Sequence, residues 1–237
     1  MNRVTWIIII AVCVLGLAGL VFMTKKDAVD VSSMDPINIV KSSDQTIGDH
    51  VYGNKDAKIV MFEYADFQCG GCAGAARNTP TIKELYKDKV AFVFRNFPLT
   101  SGHPNALAAA TAAEAANYQG KYWEMNSLIF TMQSEWTNLS ITERGEAFVR
   151  YAKQVGLNEE QFKSDLARKE IQDKIKLDRA LAAKVGVNST PSFFINSEKV
   201  DEATTTDTIQ QTGQKLMDKL DEALRKVGET PPNRSQQ

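Results

Sequence analysis

Residues 58–64 (KIVMFEY), a short run rich in β-branched and aromatic side chains, lead into Cys69-Gly70-Gly71-Cys72, and a helical pattern begins directly afterwards. No other stretch constrains the fold as much. A brief apolar run of this kind reads as a buried strand. Residues 90–94 (VAFVF) read as a second one. The helix between them, residues 73–86, contains Pro80, which should kink it rather than end it because Ile82, Leu85 and Tyr86 resume its apolar face. Strand, helix and strand with a short return form a parallel, right-handed unit.

Two thiols spaced this way at a helix start have a chemical consequence. The first sulfur lies where unpaired backbone N–H groups and the helix dipole favour negative charge, and the second lies one turn inside. Cys69 can then be a thiolate at neutral pH, with Cys72 placed to close a disulfide on it. A thiolate is both the attacking and the better leaving form, so a lowered pKa serves thiol–disulfide exchange in either direction. The same pair could instead be half of a zinc site, or inert. Zinc needs further ligands at metal spacing, and the chain offers only Cys13, inside an apolar run, and the separate His50 and His103. The redox reading is therefore adopted, with no metal and no cofactor.

At 237 residues, 43% hydrophobic and 24% charged, the chain can bury one good core with room for an inserted subdomain. Its 28 basic and 29 acidic residues nearly cancel, and no basic cluster carries interleaved aromatics, so nucleic acid is not an expected partner. Three cysteines make no structural framework, so any disulfide here is a working one.

Residues 4–23 (VTWIIIIAVCVLGLAGLVFM) are apolar over a length sufficient to cross a hydrocarbon core of about 30 Å at ~1.5 Å per residue. The run exceeds the usual span of a cleavable signal, and no small-residue cleavage site follows it. Residues 1–24 are expected to be an uncleaved transmembrane anchor, with Cys13 an ordinary membrane residue. Arg3 on one side and Lys25 and Lys26 on the other leave the positive-inside rule nearly tied. The chemistry breaks the tie, because a tethered thiol exchanger is most useful outside the cytoplasm, where disulfides persist. The expected location is the cell membrane, single-pass, with an extracytoplasmic domain.

Polar residues 25–45 read as a linker, residues 46–228 as the main domain and residues 229–237 as a frayed, disordered tail. An edge segment and a turn occupy residues 50–56. Helical patterns fill residues 105–118, 122–132 and 142–155; Asn158 then caps a further helix with Gln161 placed for a capping box, and a long one ends at Gly186. So many helices between two strands indicate an inserted helical subdomain, about residues 103–185. Strand signals return at residues 191–195 with a possible partner at Lys199 and Val200. A last helix over residues 206–227 buries Ile209, Leu216, Leu220, Leu224 and Val227 on one face.

Four segments in order, GNKDAKIVMFEYADFQCGGC, RNFPLTSGHPNALAAATAAEAA, YWEMNSLIFTMQSEW and VNSTPSFFIN, together resemble the DsbA family of thiol–disulfide oxidoreductases over roughly residues 49–224. The resemblance implies an α/β thioredoxin fold with an inserted helical subdomain, here preceded by one transmembrane helix. It implies that Cys69 is the exposed nucleophile and Cys72 the buried resolving thiol. Thr190 and Pro191 match the family's cis-proline loop, where the Thr190 backbone would face Cys69 and pair with an extended substrate peptide. Glu63 falls at the family's buried acid; alternation puts Phe62 and Tyr64 on the other face, and a carboxylate with a raised pKa could relay a proton for Cys72. Asp66 could share that role or cap the turn, and His103, at the opening of the first inserted helix, reads as structural.

Between the cysteines the chain departs from the strongly oxidising members, which carry Pro-His where this chain has Gly70 and Gly71. A milder oxidant is implied. The resemblance points to an enzyme that introduces disulfides into reduced or unfolded exported proteins and is reoxidised by a membrane redox partner. A reductase or isomerase of the same fold, a non-catalytic peptide-binding or chaperone module, and a soft-metal carrier are the alternatives.

Overall fold

The apolar run at residues 58–64 takes the centre of the sheet because it can be covered on both faces. The structure is a computed structural model that describes residues 29–43 and 47–234, with residues 6, 9 and 10. Among these, β1 (His50–Gly53), β2 (Ile59–Ala65), β3 (Val90–Asn96), β4 (Ser192–Ile195) and β5 (Glu198–Lys199) form one sheet in the order β1-β3-β2-β4-β5. β2 and β3 are parallel, with Glu63 opposite Phe94, and α1 (Gly70–Tyr86) joins them, running through Pro80. β4 pairs antiparallel with β2, setting Phe193 beside Glu63.

Strand alternation then assigns the faces. Met61, Phe92 and Phe193 pack with Ile82 and Tyr86 of α1 and with Leu216, Leu220 and Leu224 of the last helix. Phe62, Tyr64, Val93 and Phe194 point the other way, against Ala182 and Val187. Between β3 and β4 lies the expected insertion: α2 (Ala106–Asn117), α3 (Tyr122–Thr131), a short α4 (Gln133–Trp136), α5 (Ile141–Gln154), α6 (Glu159–Asp165) and α7 (Lys169–Lys184). The alanines of α2 are buried and let its neighbours approach closely. Asn158 caps α6 by accepting from the Gln161 amide, as its position implied.

The insertion is fastened to the sheet by buried charge. Arg95 of β3 is fully buried and donates to both carboxylate oxygens of Asp49, at 3.2 and 2.7 Å. Lys174 of α7 lies 3.0 Å from Asp49 and 2.5 Å from Asp178, which in turn accepts from the backbone and side chain of Asn96. Burial works against the Asp49 carboxylate, but Lys174 and Arg95 outweigh it and hold the group well below the usual range.

Three expectations need correction. Residues 29–43 are no free linker: Arg95 donates to the Pro36 and Asn38 carbonyls, Lys184 to those of Val31, Ser32 and Met34, and Ile39 packs on the outer face of the sheet. The helix expected over 206–227 is two, α8 (Glu202–Gln210) and α9 (Gln214–Lys226). Gly213 separates them with a φ of 72°, and a Cβ there would stand 2.7 Å from Ile82. Finally, the described part of the tail is docked, with Glu229 paired to Lys58 and Lys89, and Arg234 donating to the Tyr86 hydroxyl and to Asp218. Arg and Lys donors reaching carbonyls and acids far along the chain leave no periodic trace in a sequence.

The apolar run at residues 4–23, the membrane span expected of it and Cys13 lie almost wholly outside the described residues; among those described, no helix is long and apolar enough to cross a membrane. The ion cluster makes a testable demand. Asp49→Ala leaves Arg95 and Lys174 without their shared acceptor, and urea unfolding is expected to show a loss of about 3–5 kcal/mol.

Candidate active site

The end of β2 and the start of α1 deliver two sulfurs of different character. Cys69 is the N-cap residue of α1, with extended backbone, half-buried, and Cys72 is fully buried in the first turn. Both thiols are free. The Cys69 pKa is brought down from 9.0 to about 5, chiefly by hydrogen bonding from the Cys72 thiol. Burial opposes this; the Thr190 side chain and the backbone N–H groups of Cys72 and Gly71 add to it. The helix-end amides that motivate a thiolate in the sequence do contribute, but less than the neighbouring thiol. Burial foremost, then Cys69, pushes the Cys72 thiol well above 9.0.

Thr190 and Pro191 stand where the resemblance implied. The Thr190–Pro191 bond is cis, and the Thr190 carbonyl lies 3.4 Å from the Cys69 sulfur. The Thr190 hydroxyl is buried and has no hydrogen-bond partner among the described residues. A Cβ on Gly71 would stand 3.4 Å from the Pro191 ring, in ordinary contact, which places the loop alongside the reactive turn.

Glu63 is 4% exposed, on the face opposite Phe62 and Tyr64 as alternation required, and its charge adds to the upward push on the Cys72 thiol. Burial pushes its carboxyl pKa up, and Lys83 of α1, 3.9 Å away, opposes that. Burial likewise pulls the Lys83 ammonium down. Asp66 does not join Glu63. It caps the turn instead, accepting from the Gln68 and Leu99 amides at 2.7 Å each, and lies 2.7 Å from Nδ1 of His103. His103 is thus a structural partner of the loop. The Asp66 amide donates to the Cys72 sulfur at 3.4 Å.

One contributor escaped the sequence reading. Gln133, from the short α4, donates through Nε2 to the carbonyls of Phe67, at 2.8 Å, and Cys69, at 2.9 Å. Gln68 answers from the loop, donating to the Thr137 carbonyl and accepting from the Asn105 amide. The insertion therefore clamps the three residues before the helix. A glutamine in an otherwise ordinary helical stretch carries no signal of this; only the contact gives it. Among the described residues no cluster of His, Cys, Asp or Glu could hold a metal ion.

With this geometry in place, known proteins can be compared. A family model described as thioredoxin matches residues 45–214, and the chain belongs to that family. A thioredoxin-like oxidoreductase from Silicibacter pomeroyi is 28% identical, with TM-score 0.57 over 75% of this chain and 92% of that one. The alpha-DsbA1 protein of Wolbachia pipientis is 29% identical, with TM-score 0.57 over 76% and 96%. Fold and neighbours define the class: a thioredoxin-family chain with DsbA-like structural relatives. Among curated relatives, Na(+)/H(+) antiporter NhaA 3 of Salinispora tropica is 38% identical over 153 residues, 64% of this chain but 22% of that protein. The chain spans under a quarter of the length of the curated relatives it matches.

Following the ultraviolet absorbance of the thiolate against pH is expected to give a midpoint near 5 for Cys69. Gln133→Leu keeps the bulk but removes the clamp, and should raise that midpoint by roughly half to one unit through the loosened loop. An unchanged midpoint would make Gln133 a packing residue only.

Proposed function

We propose that this chain is a membrane-anchored enzyme that introduces disulfides into exported proteins through Cys69-Gly70-Gly71-Cys72. The observation that carries this reading is the asymmetry of the two sulfurs, one half-buried with a pKa near 5, the other buried and held as a thiol. Such a pair has a stabilised reduced form, so its disulfide gives up readily to substrate thiols. Glu63, Thr190 and Pro191 are assigned supporting roles on their proximity to that pair.

In the forward direction a substrate thiolate attacks the Cys69 sulfur of the disulfide. The Cys69–Cys72 bond breaks, and Cys72 leaves with the electron pair and takes up a proton. Glu63, whose field already reaches Cys72, relays that proton. An extended substrate segment pairs meanwhile with the Thr190 backbone, which the cis bond turns toward Cys69. A second substrate thiolate then attacks the substrate sulfur of the mixed disulfide, and Cys69 departs as a thiolate. Two electrons have passed from the substrate thiols to the pair; one of their protons stays on Cys72 and the other goes to solvent. A membrane redox partner takes the electrons onward. Ion transport, the activity in the name of the longer curated relatives, is not proposed for this chain.

Without a histidine between the cysteines, Cys69 near 5 falls between the ~7 of thioredoxin and the ~3.5 of DsbA. The reduction potential is accordingly expected between about −270 and −120 mV. A value at or below the thioredoxin end would make the chain a reductase. Cys72→Ser should accumulate a mixed disulfide when its Cys69 thiolate attacks a disulfide-bonded substrate, whose second sulfur leaves as a thiolate, and Cys69→Ser should abolish exchange; activity surviving Cys69→Ser would favour a binding module.

The pH dependence has a definite sign. Because the folded pKa of Cys69 is depressed to about 5, its contribution to the reduced form is complete above the free-thiol value of ~8.5 and fades as pH falls through 5. The stability excess of reduced over oxidised protein should shrink across that window in paired denaturation curves.

A further inference from the structure

Lys83 is a mostly buried cation to which the exchange reaction assigns no step. Its side chain is 13% exposed, yet among the described residues no acceptor lies within hydrogen-bond distance of its ammonium. Glu63 is 3.9 Å away, and the ring centroid of Trp123 is 4.6 Å away. A mostly buried ammonium with three donors is ordinarily satisfied by charged or polar acceptors. The two contacts it has are a distant carboxylate and an aromatic face, which together leave room for an acceptor from outside the chain.

The ammonium opens onto a cavity of about 710 Å³ between α1, β1 and the insertion, walled by Tyr52, Pro80, Trp123, Leu128 and Val155. That volume is in the range of small-molecule sites, and its composition, apolar walls with a few polar groups, is theirs as well. Glu124 on its rim would repel an anion, but it is paired at 2.8 Å with Lys121. Tyr52 donates its hydroxyl to Glu84 and so presents its ring to the space. Of the two charged groups that line the cavity, Glu124 is held by Lys121, and Lys83, with Glu63 3.9 Å behind it, is the one that presents hydrogen-bond donors to the space.

We propose that this cavity binds a small amphipathic anion, an aromatic or branched aliphatic carboxylate, with its charge on Lys83 and its apolar body along Pro80, Leu128 and Val155. The site is separate from the substrate surface at Cys69 and Thr190 and does not depend on the proposed exchange reaction. It does adjoin that chemistry from behind, since the Lys83 ammonium lies 3.9 Å from Glu63. An occupant therefore competes with Glu63 for the same ammonium.

The probe pair is 3-phenylpropionate and its uncharged amide, titrated by calorimetry into the full-length protein at low salt. The carboxylate is expected to bind at least about tenfold more tightly than the amide, a margin of ~1.4 kcal/mol. Lys83→Met should erase that margin. Should this variant fail to fold, Leu128→Glu, which keeps Lys83 and sets a carboxylate on the wall, should weaken the anion at least tenfold while affecting the amide less. Equal affinities for the two probes, no heat for either, or a margin that survives both substitutions would overturn the assignment. Binding in a Cys69→Ser protein reads the site alone, so its failure there is distinct from a failure of the exchange reaction.

Discussion

Negative charge on one sulfur depends on what surrounds it, and here the surroundings come from three parts of the chain. The Cys72 thiol and the amides of Gly71 and Cys72 come from the same helix turn, while Thr190 arrives from a loop well over a hundred residues later. The parallel pairing of β2 with β3 fixes where α1 begins, and the pairing of β4 with β2 brings the Thr190 loop alongside. The insertion then holds the turn through Gln133. Sheet, loop and insertion thus converge on the same few cubic ångströms.

The two buried charge clusters differ in completeness, and the difference sorts their roles. Asp49, Arg95, Lys174 and Asp178 exchange short hydrogen bonds with one another and with backbone carbonyls, so their charges are compensated and they hold the insertion and residues 29–43 in place. Glu63 and Lys83 face each other at 3.9 Å, and burial pushes both toward neutrality. A fully satisfied network rigidifies; an under-satisfied pair can change protonation or take another partner.

Much of the fold was legible in the chain because its signals are local. The runs at residues 58–64 and 90–94 became β2 and β3, the Ala-rich and amphipathic segments became the insertion, and the alternation around Glu63 set its face correctly. The cysteine pair announced itself by spacing. Where reading failed, the deciding contact was remote. The apolar period of residues 206–227 runs across Gly213, but there the backbone turns left-handed, at a φ of 72°, and Asp207 accepts from the Lys215 amide of the next helix. Residues 29–43 look like a linker because what holds them is the guanidinium of Arg95 and the ammonium of Lys184 acting on backbone carbonyls, which every residue has.

The sequence by itself determined the strand–turn–helix unit, the pair of thiols at its start and the succession of helices, because period and spacing are properties of neighbouring residues. Only the tertiary structure decided how acidic the first sulfur is, that Asp66 caps a turn while the charge of Glu63 acts on Cys72, and that Gln133 grips the reactive loop. Those outcomes depend on distances between residues far apart in the chain, and electrostatics and hydrogen bonding act through distance in space.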